Sequence, residues 1–425
     1  PLSMIRSTIN ERQESKQFAV NDITSKWGGE QTIAGPLIVV PYKKVVKEKG
    51  EEMLKEYSLL LLPETLDIES SVGAEDRRRG IYDVSVYNAD VNIKSVFDSE
   101  ELKKFIIDPA LVEWGNMHVV MGLSDLKGID EHVVLEVGDD KITFNSGIHL
   151  EGLAERAYVS DSYGGPNTTA SFSVGLNADL DSLGRKLVDE GKLEMNISLK
   201  LSGSQALYML PVGKTTSVAM NSDWKTPKFD GEFLPNSYDV KDSGFTSEWK
   251  VLDLNRNYGQ LVAADNIEVL NQMDFSRFGV KFIQSVDQYQ QNMRSVKYAI
   301  LIILLTFVVV FFIELFQKRP VNLFQYLLVG LALVLFYALL LSLTEVIGYN
   351  LAYLVAAAMT TLLIMFHMMS IIDRKRGITI GVLLAALYVF VFVLIQMENY
   401  ALLTGSLGLF VILGVIMHYS KRLRM

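Results

Sequence analysis

The polar and apolar positions of this chain follow two rhythms, and the change falls near residue 296. Before it, strict alternation recurs. Leu66, Ile68, Ser70 and Val72 share one face of an extended segment, and Tyr82, Val84 and Val86 share another. Phe172, Val174, Leu176, Ala178 and Leu180 do so within Thr168–Leu180, as do Met195, Ile197, Leu199 and Leu201. A period of two with one polar face predicts strands packed on one side, the habit of antiparallel sheets. Turn signals separate the runs: Gly28-Gly29, Gly35-Pro36, Gly138-Asp139-Asp140, Gly164-Gly165-Pro166-Asn167 and Lys241-Asp242-Ser243-Gly244. The expected fold is a β-rich, sandwich-like antiparallel domain over 31–282, long enough for two subdomains.

After residue 296 the pattern becomes five apolar runs: Lys297–Phe316, Leu323–Leu343, Leu351–Ile372, Ile378–Gln396 and Tyr400–Tyr419. Each, at about 20 residues, is long enough to cross a bilayer core as a helix. Lys318 and Arg319 follow the first run, Arg374, Lys375 and Arg376 the third, and Lys421, Arg422 and Arg424 the fifth. The other two connections, Ser342–Asn350 and Gln396–Tyr400, hold no Lys or Arg. The positive-inside rule then makes the basic side cytoplasmic and puts residues 1–296 outside. Exporting that segment needs a signal, and none is visible. A further N-terminal anchor before Pro1 is expected, giving six spans.

Two stretches flanking the membrane keep a helical spacing. Ile5, Ile9, Arg12 and Lys16 recur so within Ile5–Ile23, and residues 1–30 are read as a stalk helix. Ile283, Val286, Tyr289, Met293 and Val296 do the same over 283–296, a helix expected to run unbroken into the first span. The pair is expected to pack together.

Charge sharpens the division. Of 40 basic and 49 acidic residues, 9 basic and 4 acidic lie from Lys297 onward. The segment before it is therefore strongly acidic, which argues against nucleic acid or anionic headgroups as its partners. There are no cysteines, so an exported fold would rest on its core alone.

The start of the membrane region carries a specific pattern: Asp287-Gln288-Tyr289-Gln290, Lys297-Tyr298-Ala299-Ile300-Leu301, Leu305-Thr306-Phe307 and Glu314, then Gln325-Tyr326-Leu327-Leu328-Val329-Gly330-Leu331, Phe336-Tyr337 and Leu343-Thr344-Glu345. With Gly35-Pro36-Leu37-Ile38-Val39-Val40-Pro41, Asp125-Leu126-Lys127-Gly128-Ile129, Phe233-Leu234-Pro235 and Ser243-Gly244-Phe245, it resembles the CreD family of bacterial inner-membrane proteins. The resemblance implies a role in envelope integrity or envelope stress, a location in the inner membrane, and an N-terminal span. It implies no reaction.

Enzyme motifs do not emerge. There is no phosphate-binding glycine loop, nucleophile elbow or zincin helix, and the five histidines show no ligand spacing, so no cofactor or metal is expected. Asn177, Asp179 and Asp181 begin like a calcium loop, but Ser182 and Val188 stand where it needs Gly and Glu. The informative groups are polar residues in the apolar runs, where an unpartnered ionisable side chain is costly. Glu314, Glu345, Gln325, Tyr326 and His367 form the candidate intramembrane or interfacial site, with Thr306 beside them. Glu314 and Glu345 are expected to share one polar groove, although an ion pair of Glu314 with Lys318 is the simpler reading. Gly381 and Ala385 read as a small-residue packing pair. Two function classes remain. One is a non-enzymatic envelope factor with a sheet domain that binds a periplasmic or outer-membrane protein, its spans anchoring it in the lipid bilayer or assembling it into a homo-oligomer. The other is a bundle that binds or moves a lipid-like or amphiphilic molecule.

Overall fold

The computed structural model describes residues 2–48, 51–80, 82–105, 111–148, 170–282, 288–317, 322–397 and 401–420. The turn at Gly164–Asn167, the start of the strand expected from Thr168, Ile283 and Val286 of the second stalk, Lys318, Arg319 and the three terminal basic residues lie outside them. Two compact units result. One comprises residues 19–285, the other residues 1–18 with 286–425.

The first unit is β-rich, with its strands numbered in chain order. One sheet has the order β13 (Pro227–Gly231), β17 (Phe278–Phe282), β11 (Ala206–Met209), β1 (Gln31–Glu48), β5 (His118–Leu123), β9 (Gly175–Asp179), β8 (Asn145–Ser146). β2 (Glu51–Leu61) joins the far part of β1, and β16 (Leu261–Ala263) joins β2. The other sheet runs β14 (Ser237–Lys241), β15 (Gly244–Leu252), β12 (Thr215–Ser222), β3 (Thr65–Arg79), β4 (Tyr82–Asp98), β10 (Lys192–Ser204), β6 (Val134–Val137), β7 (Asp140–Thr143). Both sheets feed one hydrophobic core, to which Leu37, Val120 and Val280 come from the first and Leu66, Ile93, Leu199 and Trp249 from the second.

Alternation forecasts β3 and β10 well: Leu66, Ile68, Ser70 and Val72 are buried on one side, and Leu193 through Leu201 alternate likewise. Other expectations need correction. The sheets are mixed rather than wholly antiparallel, because β1 pairs parallel with β11 and β12 parallel with β3. Gly35-Pro36 does not end a strand. It forms an irregularity inside β1, where Gly35 at φ 117° takes a backbone conformation that favours glycine. In β4, Val84 and Val86 are buried but lie outside the main core, which instead takes Tyr87, Ala89, Val91, Ile93 and Phe97. That face also carries Arg77 and Arg79, paired with Val84 and Tyr82, and these hold Trp27 and Asp22 of the N-terminal helix against it. The run from Thr168 is not one strand. Ala170–Ser173 is a helical turn that buries Phe172 and leaves Val174 exposed, and β9 begins only at Gly175.

The helices are α1 (Leu2–Trp27), α2 (Glu100–Phe105), α3 (Ala170–Ser173), α4 (Ser182–Glu190), α5 (Ile267–Phe275), α6 (Gln288–Lys297), α7 (Ala299–Gln317), α8 (Leu323–Ile347), α9 (Tyr349–Ile371), α10 (Arg374–Gln396) and α11 (Ala401–Ser420). α1 contributes its first part to the helical unit and its last turns to the β-rich one. α6 and α7 are separated by Tyr298 alone, and the Tyr298 amide still donates to Arg294 O. Four described helical stretches are long and apolar enough to cross a membrane: Gln288–Phe312, Leu323–Ile347, Tyr349–Ile371 and Arg374–Gln396. The apolar part of α11, Leu403–His418, is shorter. α10 begins before its apolar run, taking Arg374, Lys375 and Arg376 into its first turn, where the Gly377 amide donates to Asp373 O.

Candidate functional site

The helical unit is organised by an α8–α9 hairpin closed by Gly348, whose φ of 77° needs no Cβ and whose amide caps Thr344 O. Residues three and four apart build the seam: Val329, Leu333, Phe336, Tyr337, Leu340 and Thr344 are buried on α8, and Tyr349, Tyr353, Ala356, Thr360, Ile364 and Met368 on α9. Its centre is aromatic. Phe336 lies 5.4 Å from Tyr353 and 4.6 Å from Tyr388 of α10, between ring centroids. The Tyr353 hydroxyl donates to Tyr388 O at 2.9 Å.

The candidate polar residues divide around this seam. At the N-terminal end of α8, the Tyr326 hydroxyl donates to Glu314 Oε2 at 2.6 Å, with the Phe307 ring 6.0 Å away edge-on. At the C-terminal end, Glu345 Oε1 accepts from the Tyr289 hydroxyl at 3.4 Å and faces Arg12 Nε at 3.6 Å. Here α1 and α6 meet the hairpin. Nineteen residues separate Tyr326 from Glu345, or about 28 Å of helix. The two carboxylates therefore do not share a groove. Gln325 Oε1 and His367 Nε2 are buried, and neither has a hydrogen-bond partner among the described residues. Thr306 satisfies its hydroxyl on its own helix, donating to Ile302 O at 2.7 Å. It lines a 930 Å³ cavity between α7, α10 and α11, whereas Tyr326 lines a separate 750 Å³ groove with Leu2 and Phe307.

The packing pair also shifts. Ala385 is exposed, whereas a Cβ on Gly377 would strike Met369 and one on Gly381 would strike Met365, so Gly377 and Gly381 are the small residues that bring α10 against α9. Gly377 was legible from its four-residue spacing but stands beside the basic run that marks a loop. Sequence reasoning also passed over Ser295 and Tyr349, whose hydroxyls lie 2.6 Å apart, and over Asn350 and Gln396, joined at 2.7 Å.

In the β-rich unit the last turns of α1 are clasped. Arg77 of β3 stacks over the Trp27 ring at 3.7 Å, Arg79 pairs with Asp22, and the Trp27 indole donates to Tyr87 O. Asp125 accepts from the Gly29 and Lys127 amides, Lys127 Nζ donates to Ser25 O, and Gln31 Nε2 donates to Asp125 O and Ser202 O. A Cβ on Gly128 would collide with Ser202 O. A second cluster joins β11, β13 and β17. Asp230 accepts from the Tyr208 hydroxyl at 2.8 Å and from Lys281 Nζ at 2.7 Å. Burial first, and then this bond, push the Tyr208 hydroxyl up to about 12. Lys281 holds the Asp230 carboxyl below the usual range despite partial burial.

A β-rich unit joined to a bundle of apolar, membrane-length helices defines a multi-pass membrane protein with a large non-helical domain. The whole chain, residues 1–425, matches the family described as Inner membrane protein CreD. The protein of that description from Escherichia coli (strain K12) is 30% identical over 361 residues, covering 84% of this chain and 74% of the relative. The chain belongs to the CreD family of inner-membrane proteins.

Proposed function

We propose that this chain is a non-enzymatic factor of the bacterial envelope, whose β-rich domain lies on the periplasmic side and binds an envelope protein while the helices hold it in the inner membrane. One observation carries the reading. The carboxylates of the described spans lie at opposite ends of α8 with partners of their own, and the centre of the seam between them is aromatic and aliphatic. An ion-coupled transporter concentrates ionisable groups near the membrane midplane, and this bundle has the pattern of an anchor instead. In this reading α11 is a fifth span, residues 1–296 are periplasmic, and the basic connections after α7, α9 and α11 are cytoplasmic. Maintenance of the envelope, under stress or otherwise, is the role family membership favours. The test is complementation of a strain lacking the gene by Glu314→Gln combined with Glu345→Gln. Restored envelope resistance at normal protein abundance is the expected outcome. Loss of function at that abundance would contradict a simple anchor.

A second reading rests on the cavity between α7, α10 and α11. Its lining is almost wholly apolar, and the hydroxyls of Thr306 and Thr379 are turned to their own backbones. Such a space suits an acyl chain, so the bundle would hold a lipid-like molecule. Native mass spectrometry of the protein released from nanodiscs of its own membranes tests it. A defined lipid retained at fixed stoichiometry supports this reading, and an empty protein refutes it.

A further inference from the structure

Five residues, Ser237–Lys241, form the edge of the second sheet, and beyond β14 no described strand continues it. The polar face of β14 is complete: Ser237 donates to Glu248, and Lys241 pairs with Asp239. Its other face is not. Val240 stands opposite Phe245 and Tyr238 opposite Ser247, so both side chains share the face on which Phe245, Ser247, Trp249 and Val251 are buried. That core face runs on to the edge strand, but there it is open. Tyr238 is 65% exposed, Val240 42%, and the adjoining Leu234 71%.

The other sheet ends at the same place. β13 is its edge strand and leads directly into β14 through residues 232–236. Phe229 of β13 touches the Tyr238, Phe245 and Trp249 rings at 5.1, 5.9 and 5.8 Å, forming an aromatic floor. Among the described residues, then, a backbone edge without a strand partner stands beside an apolar shelf that continues the core. Edge strands are usually protected by charge on the exposed face. Here the charges lie on the face already satisfied, and the face turned toward the core is apolar.

We propose that the β14 edge is the docking site of an extended segment from a partner protein, which adds as a strand and lays alternate apolar side chains on Tyr238, Val240 and Leu234. This rests on the reading of the β-rich domain as a partner-binding module and gives that partner its chemistry. Main-chain hydrogen bonds would supply the pairing, and a period of two would supply the selectivity. A helix would leave the edge amides and carbonyls unpaired, and a lipid chain would offer them no hydrogen bonds.

The test is photo-crosslinking in cells with full-length protein carrying benzoyl-phenylalanine at Leu234. Matched probes at Asp67 of β3 and at Lys186 of α4 report on the rest of the domain. The expected result is a Leu234 adduct whose cross-linked peptide maps to one segment with alternating apolar residues. Tyr238→Lys with Val240→Lys should reduce that adduct about tenfold at unchanged abundance. A milder pair, Tyr238→Ser with Val240→Thr, covers the case in which the lysines prevent folding, and should reduce it in the same direction. Protein adducts at Asp67 or Lys186 without one at Leu234 would overturn the site and leave the binding reading standing. No protein adduct at any probe would overturn both. A Leu234 adduct to lipid, or to a second copy of this chain, would overturn the proposal.

Discussion

The two units satisfy their Ser and Thr hydroxyls and their bridging side chains in different proportions. In the β-rich unit the partners are distant in sequence: Tyr87 donates to Ala206 O, Gln31 to Asp125 O and Ser202 O, and Gln260 to Pro63 O. In the helical unit several Ser and Thr hydroxyls turn to the carbonyl four residues back, as in Ser295 to Gln291, Thr306 to Ile302, Thr344 to Leu340 and Thr379 to Lys375. Tyrosines there bridge between helices, as in Tyr353 to Tyr388 O. The difference follows from the surroundings. A helix closes its own backbone and can satisfy a hydroxyl locally, which matters most where the solvent is hydrocarbon. Sheets gather strands from far along the chain, and side chains at the crossings must bridge them. Long-range polar contacts thus dominate in the first unit, and in the second they are fewer and set within close helix packing.

Arg256 offers the strongest way to break this contrast. Its buried guanidinium donates to the carbonyls of Tyr258, Val212 and Gly213, bonds Gln260, and lies 4.3 Å from the Tyr258 ring centroid. Arg256→Met should leave several of those acceptors unpaired and lower stability by about 3 kcal/mol, read from chemical unfolding followed by tryptophan fluorescence. A cost under about 1 kcal/mol would mean the bridges are incidental.

The Asp230 cluster sharpens the comparison at a smaller scale. Asp230→Asn should cost about 1–2 kcal/mol at neutral pH, since the carboxylate is partly exposed and screened. Its folded pKa is depressed. The contribution is therefore complete above the ordinary carboxylate range and is lost as pH falls through the folded value. Wild type and variant should converge in stability at acid pH, and a difference that grew on acidification would refute the assignment.

The smallest effect is expected in the helices. Thr306→Val removes a local bond and keeps the shape, so thermal unfolding in detergent should shift by less than about 1 kcal/mol. A loss matching that of Arg256→Met would erase the distinction between the units.

How much the residues disclosed follows the same line. β3 and β10 were legible because each buries one face along most of its length, and the apolar runs were legible because lipid imposes their length. β4 was only half legible, since near Val84 and Val86 its second face carries the last turns of α1, held by Arg77 and Arg79, and nothing in its own sequence announces that neighbour. Parallel pairing of β1 with β11 leaves no local trace either. Within the candidate site, the Tyr326–Glu314 pair joins residues twelve apart across a single connection. The partners of Glu345 come from α1 and α6, and only the fold brings them to it. The supposed common groove failed on length, because α8 holds its two polar ends apart.

The central claim is a periplasmic β-rich domain carried by an inner-membrane bundle, and the absence of cysteines from residues 1–425 makes it directly measurable. Single cysteines at Val346, exposed at the end of α8, and at Asp373, exposed between α9 and α10, would be challenged in intact cells with a membrane-impermeant maleimide. The account predicts labelling of Val346→Cys in intact cells and of Asp373→Cys only after the membrane is opened. The reverse pattern would place the β-rich domain in the cytoplasm and contradict it.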